Sequence, residues 1–132
     1  DFGHHPTALD LTLESLRARY PQHRLVACFE PRSNTASRKL MQDAFQEALK
    51  KADEVFLPPP HRAEKLGEER FDSAGVAAAI TAAGRKGFAP ASNDALLVEL
   101  TALVKADKSP RCVVFFSNGA FGGIIKKFAQ SA

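Results

Sequence analysis

The sequence predicts an α/β fold: a mostly parallel sheet with helices on both faces. Three observations carry this. Short apolar runs recur at "RLVACFE" (24–30), "EVFL" (54–57) and "CVVFF" (112–116). Segments with apolar residues at helical spacing lie between them. The spacing leaves room for crossover helices, and such alternation builds parallel sheets.

The elements follow in order. Leu9, Leu13, Leu16 and Tyr20 place an amphipathic helix from residue 7 to about 20. Pro6 and Thr7 suit a helix entrance, with Thr7 and Asp10 at capping-box spacing. Residues 24–30 read as a buried strand, and Leu40, Met41, Ala44, Phe45, Ala48 and Leu49 mark a second helix. The strand at 54–57 is stopped by Pro58, Pro59 and Pro60, and 58–72 reads as a long loop. An alanine-rich helix is expected at about 73–83, then a weak strand at 87–89. Ser92 and Asn93 can cap a helix carrying Leu96, Leu97, Leu100, Leu103 and Val104. The strand at 112–116 and a helix from about 121 complete the reading.

Length and composition bound the class. The 132 residues form one domain, and 45% apolar with 25% charged residues is the ordinary globular balance. No apolar run approaches the ~20 residues of a membrane span, and nothing resembles a secretory signal, so a soluble intracellular protein is expected. Cys28 and Cys112 sit singly in apolar runs, the usual setting of buried reduced thiols, and suggest no metal site. The net charge of +3 is unevenly spread. Residues 1–72 carry eleven Lys/Arg against twelve Asp/Glu, residues 73–132 seven against three. Neither half has the dense, aromatic-interleaved basic stretch of a nucleic-acid surface.

In open α/β sheets ligands bind beyond the carboxyl ends of the strands. After the first strand come Glu30, Arg32, Ser33, Asn34, Thr35 and Arg38. After the second come His61, Arg62 and Lys65, and after the last "SNGAFGG" (117–123). All three segments should converge on one edge. Arginine grips carboxylates or phosphates with a planar fork. Asn34 and Asn118 can donate and accept together. Gly119, Gly122 and Gly123 allow close backbone approach beside a helix start that favours negative charge. The result is a polar, cationic mouth for a small acidic ligand. Taken singly, "SNGAFGG" also reads as a turn before a capped helix, "PRSNT" as a turn with an N-cap at Asn34 or Thr35, and Arg62 and Lys65 as solvated surface.

"DFGHHPT" at residues 1–7, "FEPRSNT" at 29–35, "ADEVFL" at 52–57 and "FSNGAFGGI" at 116–124 resemble the C-terminal domain of the ATP-dependent Mur ligases of peptidoglycan synthesis. The resemblance spans nearly the whole chain. "EPRSNT" and "SNGAFGG" narrow it to the branch that recycles the cell-wall tripeptide L-alanyl-γ-D-glutamyl-meso-diaminopimelate. It implies a Rossmann-like domain, residues 1–132, that closes over substrates as the last of three domains in a cytoplasmic ligase. It implies that ATP converts the carboxylate of UDP-N-acetylmuramate into an acyl phosphate, which the tripeptide amine attacks. It implies that ATP and Mg²⁺ are held mainly by a central domain, which fits the lack of a phosphate-binding G-x-x-x-x-G-K-[ST] in these residues. Asp1 and His4 would reach the nucleotide. Arg32, Asn34, Thr35, Arg38, Ser117, Asn118 and Gly119 would face the tripeptide. No residue here is expected to be catalytic or to bind metal, and no nucleic-acid or membrane partner is implied. The family commonly has histidine where this chain has Ile125, and 58–72 matches poorly, so His61, Arg62 and Lys65 receive no role. Two alternatives stay open: the L-alanine-adding ligase of the same family, against which "PRSNT" argues, and an autonomous module for an acidic metabolite.

Overall fold

Uninterrupted apolar residues from Leu25 to Phe29 can be stable in water only if both faces of the strand are covered. The computed structural model, which describes residues 6–30, 42–58, 72–106, 109–116 and 123–131, covers them. The described elements are α1 (Pro6–Arg19), β1 (Arg24–Phe29), α2 (Gln42–Leu49), β2 (Glu54–Phe56), α3 (Ser73–Ala82), β3 (Lys86–Phe88), α4 (Asn93–Ala106), β4 (Arg111–Phe116) and α5 (Ile124–Ser131). The strands form one parallel sheet in the order β3-β2-β1-β4. This is the α/β, Rossmann-like arrangement expected, with β1 and β4 level: Arg24 pairs with Arg111 and Phe29 with Phe116.

Strand alternation sorts the core into two layers. Leu25, Ala27 and Phe29 of β1, with Val55 and Phe116, pack against α1, α2 and α3 through Leu9, Leu13, Phe45, Leu49, Val76 and Ile80. Val26 and Cys28, with Phe56, face the other way onto Leu96, Leu100 and Ile124 of α4 and α5. Burial pushes the Cys28 thiol well above its ordinary range, so it stays protonated and unreactive. Cys112 is only part-buried, unlike the expectation, because β4 is an edge strand. Its thiol is also raised by burial.

The local signals act where chemistry requires. Pro6 is the first helical residue, where its missing N–H costs nothing. Thr7 therefore lies inside the first turn rather than ahead of it, and Asp10 pairs with Lys51 Nζ at 3.1 Å. Lys51 also meets Glu14 at 2.8 Å, and these two hydrogen bonds, Glu14 first, raise its pKa. Asp72 caps α3 by accepting from Gly75 N–H at 3.0 Å. Gly84, at φ +94°, ends that helix: Gly84 N–H donates to Thr81 and Arg85 N–H to Ile80. Gly87 is forced by contact, since a β-carbon there would run into the Ala77 carbonyl as α3 lies against β3.

Asp53 ties the amino ends of the strands together. Its Oδ2 accepts from Leu25 N–H at 2.8 Å and from Arg17 at 2.9 Å, and its Oδ1 lies 3.4 Å from Arg85. Burial pushes its pKa up, but the Leu25 amide and the Arg17 guanidinium outweigh that and hold it below the ordinary value. A depressed folded pKa gives stability that is present above the unfolded value, about 3.9, and is lost as pH falls through the folded one. Asp53→Asn is thus expected to cost about 1.5 kcal/mol at pH 7 by urea unfolding. The gap from wild type should narrow as pH falls below about 4. A gap that stays constant from pH 7 to 2 would contradict the assignment.

Candidate functional site

The parallel sheet sends the chain off one edge after β1, β2 and β4, as the convergence argument requires. β1 and β4 are neighbours, yet the chain leaves them in opposite senses. After β1 it proceeds through α2 to β2, and after β4 to α5 on the other face. This is a topological switch point, the position at which open α/β sheets form a ligand crevice. The ladder runs one step past the strands, with Glu30 N–H donating to the Phe116 carbonyl at 3.1 Å. The two segments singled out in the sequence start immediately beyond that bond.

Asp1, His4, Arg32, Asn34, Thr35, Arg38, Ser117, Asn118 and Gly119 all lie outside the described residues, as do His61, Arg62 and Lys65. The structure fixes the strand ends from which their segments spring. It also brings to that edge a pair the sequence reading did not join. Glu30, only 4% exposed, accepts at Oε2 from Asn93 Nδ2 at 2.9 Å. Asn93 opens α4 but does not cap it: Ser92 Oγ takes that role, accepting from Ala95 N–H at 3.1 Å. A buried carboxylate needs such partners, and the start of a helix is a favourable neighbour for it. The signals available in the sequence were Ser92, which already satisfies the cap, and Glu30 at the end of an apolar strand.

The opposite, amino-terminal edge holds a different charge cluster. Glu54 is 1% exposed and lies 3.4 Å from Arg111 Nε, whose side chain is 5% exposed. Arg24 Nε is 3.5 Å from the same oxygen without hydrogen-bond geometry, an electrostatic contact only. A groove of about 400 Å³ nearby is lined by Glu14, Arg17, Lys51 and Arg85 among others. Its cations are engaged by Asp10, Glu14 and Asp53. These are structural ion pairs rather than a site for an acidic ligand.

Magnesium takes hard oxygen ligands, usually one or two carboxylates plus phosphate oxygens. Among the described residues no three His, Cys, Asp or Glu side chains come together to hold a metal ion. No described helix is long and apolar enough to cross a membrane.

The switch-point sheet defines a Rossmann-like α/β domain, and comparison with known proteins gives its family. Residues 1–119 match the model of the Mur ligase, glutamate ligase domain. The chain belongs to the Mur ligase family, as its C-terminal domain. It is 32% identical over 132 residues to the UDP-N-acetylmuramate–L-alanine ligase of Hydrogenovibrio crunogenus, covering 100% of this chain and 28% of that protein. The chain thus spans just over a quarter of the curated relative it matches. Among solved structures it is similar to the murein peptide ligase of Psychrobacter arcticus, at 27% identity and TM-score 0.75, over 99% of this chain and 26% of that one. It is also similar to a domain from Haemophilus ducreyi described as a UDP-N-acetylmuramate:L-alanyl-γ-D-glutamyl-meso-diaminopimelate ligase. There the identity is 28% and the TM-score 0.66, over 100% of this chain and 88% of that one.

Proposed function

We propose that this chain is the substrate-closing third domain of a cytoplasmic, ATP-dependent amide-bond ligase of cell-wall recycling. The enzyme would join L-alanyl-γ-D-glutamyl-meso-diaminopimelate to UDP-N-acetylmuramate. The γ-phosphoryl group of ATP passes to the muramyl carboxylate, releasing ADP and leaving an acyl phosphate. The tripeptide's terminal amine then attacks the carbonyl carbon, the C–O bond to phosphate breaks, and the nitrogen sheds a proton as the amide forms. ATP and Mg²⁺ belong mainly to the central domain, with Asp1 and His4 approaching the nucleotide. Arg32, Asn34, Thr35, Arg38, Ser117, Asn118 and Gly119 face the peptide, whose several carboxylates suit a cationic mouth.

The observation that carries this reading is the likeness of the whole chain to part of a solved murein peptide ligase and to a solved domain described as a UDP-N-acetylmuramate:L-alanyl-γ-D-glutamyl-meso-diaminopimelate ligase. A second reading, the L-alanine-adding ligase, has its own support in the 32% identical relative. The family permits both, and "PRSNT" after β1 favours the first. The deciding experiment uses the full-length ligase that carries this domain, with ATP, UDP-N-acetylmuramate and either tripeptide or L-alanine. Tripeptide-dependent ADP release far above that with L-alanine is expected. The reverse preference would move the protein to the second reading. The 132-residue chain alone, without a phosphate-binding loop, is expected to release no phosphate from ATP above a heat-killed control.

A further inference from the structure

Glu30 poses a specific question at the crevice. A strand end inside an apolar sheet is most cheaply filled by another apolar residue, yet here a carboxylate is 4% exposed. Burying it is costly unless it is hydrogen-bonded, and Asn93, 63 positions away, supplies a bond of 2.9 Å. Asn93 is free for this because Ser92 caps α4. The backbone of Glu30 is fixed as well: its N–H is bound to Phe116, and a proline follows it in the sequence, which disfavours a helical turn at Glu30. Side chain and main chain are therefore both clamped at the last residue before the segment bearing Arg32 and Asn34.

We propose that Glu30 and Asn93 are positioning residues for the incoming amine, locking the carboxyl end of β1 to the start of α4 and so setting the direction in which the acceptor-binding segment leaves the sheet. This rests on the reading that Arg32 and Asn34 face the amino substrate. Neither Glu30 nor Asn93 needs to touch substrate. The bond joins the two side chains, so removing either one breaks the same link between β1 and α4.

The test is steady-state kinetics of the full-length ligase, varying amine, ATP and UDP-N-acetylmuramate separately, beside thermal melts. Glu30→Ala and Asn93→Ala should each raise the KM of the amine about tenfold, equivalent to about 1.4 kcal/mol. The kcat and the KM for ATP should stay within about twofold, a change worth under 0.5 kcal/mol. The double variant should be no worse than either single one, as expected of coupled groups. Glu30→Gln should recover most of the affinity, because its amide oxygen still accepts from Asn93. If Glu30→Ala does not fold, Asn93→Ala and Glu30→Gln carry the same comparison. A wild-type amine KM in Asn93→Ala would overturn the proposal, as would equal losses for all three substrates tracking a lower Tm. The amine used is whichever one the wild-type enzyme accepts. A preference for L-alanine would defeat the tripeptide reading and leave this test intact.

Discussion

Glu54→Ala is expected to lower the unfolding free energy of the domain by about 3 kcal/mol, the low end for breaking a buried ion pair. Its carboxylate is 1% exposed and sits where two arginines meet at the amino edge of the sheet. Arg111 has a side chain only 5% exposed, so removing the carboxylate takes a charge-assisted contact from a guanidinium that water barely reaches. Arg24, at 40% exposure, can turn to water and should lose little. The variant Tm should fall by roughly 10 °C for a domain of this size. Glu54→Gln should cost less, because an acceptor oxygen remains for Arg111 Nε. Replacing Glu54 and Arg111 together by apolar residues should recover part of the loss, since a buried pair is often no better than a packed apolar one. Urea unfolding of the four proteins decides it. A Glu54→Ala loss below about 1 kcal/mol, the size of an exposed pair, would mean that the pair is solvated in practice.

That cluster also marks what the sequence could and could not convey. The apolar runs in β1, β2 and β4 announced their strands because strands covered on both faces, fully in β1 and β2 and partly in β4, have no polar alternation to blur them. Leu9 and Leu13, or Leu96 and Leu100, announced helices because one face of each meets the sheet. Local periodicity carries such information. Glu54, by contrast, looks like an ordinary charge opening a short strand. Its partner Arg111 is 57 positions away, and only the β1–β2 and β1–β4 registers bring them together. Asp53 is alike: Arg17, Leu25 and Arg85 reach it from three separate elements. The edge of the sheet at which a ligand should bind was legible, because parallel strands must all end on one side. The Glu30–Asn93 bond was not, since Ser92 and Asn93 both read locally as caps of that helix and Glu30 lies 63 positions away.

Arg32→Ala in the full-length ligase is expected to raise the tripeptide KM tenfold or more, while the KM for ATP barely moves. Arg32 is the second residue after Glu30, and Glu30 is bound to the end of β4 at the switch point, so its segment starts at the crevice. The tripeptide brings several carboxylates to be desolvated there, and a desolvated carboxylate needs a charged, hydrogen-bonded partner. Truncating one member of such a pair costs about 2–5 kcal/mol, and about 1.4 kcal/mol is a decade in affinity, so tenfold is the lower bound. Arg32→Lys should rescue poorly, because an ammonium cannot reproduce the two parallel bonds of a guanidinium to a carboxylate. The effect should be separable from that of Asn93→Ala, which breaks the Glu30–Asn93 bond without changing charge: losing the guanidinium removes charge, so added salt should narrow the Arg32→Ala gap by screening the wild type. Loss of the Glu30–Asn93 bond should leave the salt dependence unchanged. A solvated turn arginine would give a near-silent alanine variant. Wild-type tripeptide KM in Arg32→Ala would remove Arg32 from the site and shift the acceptor contacts to the segment after β4.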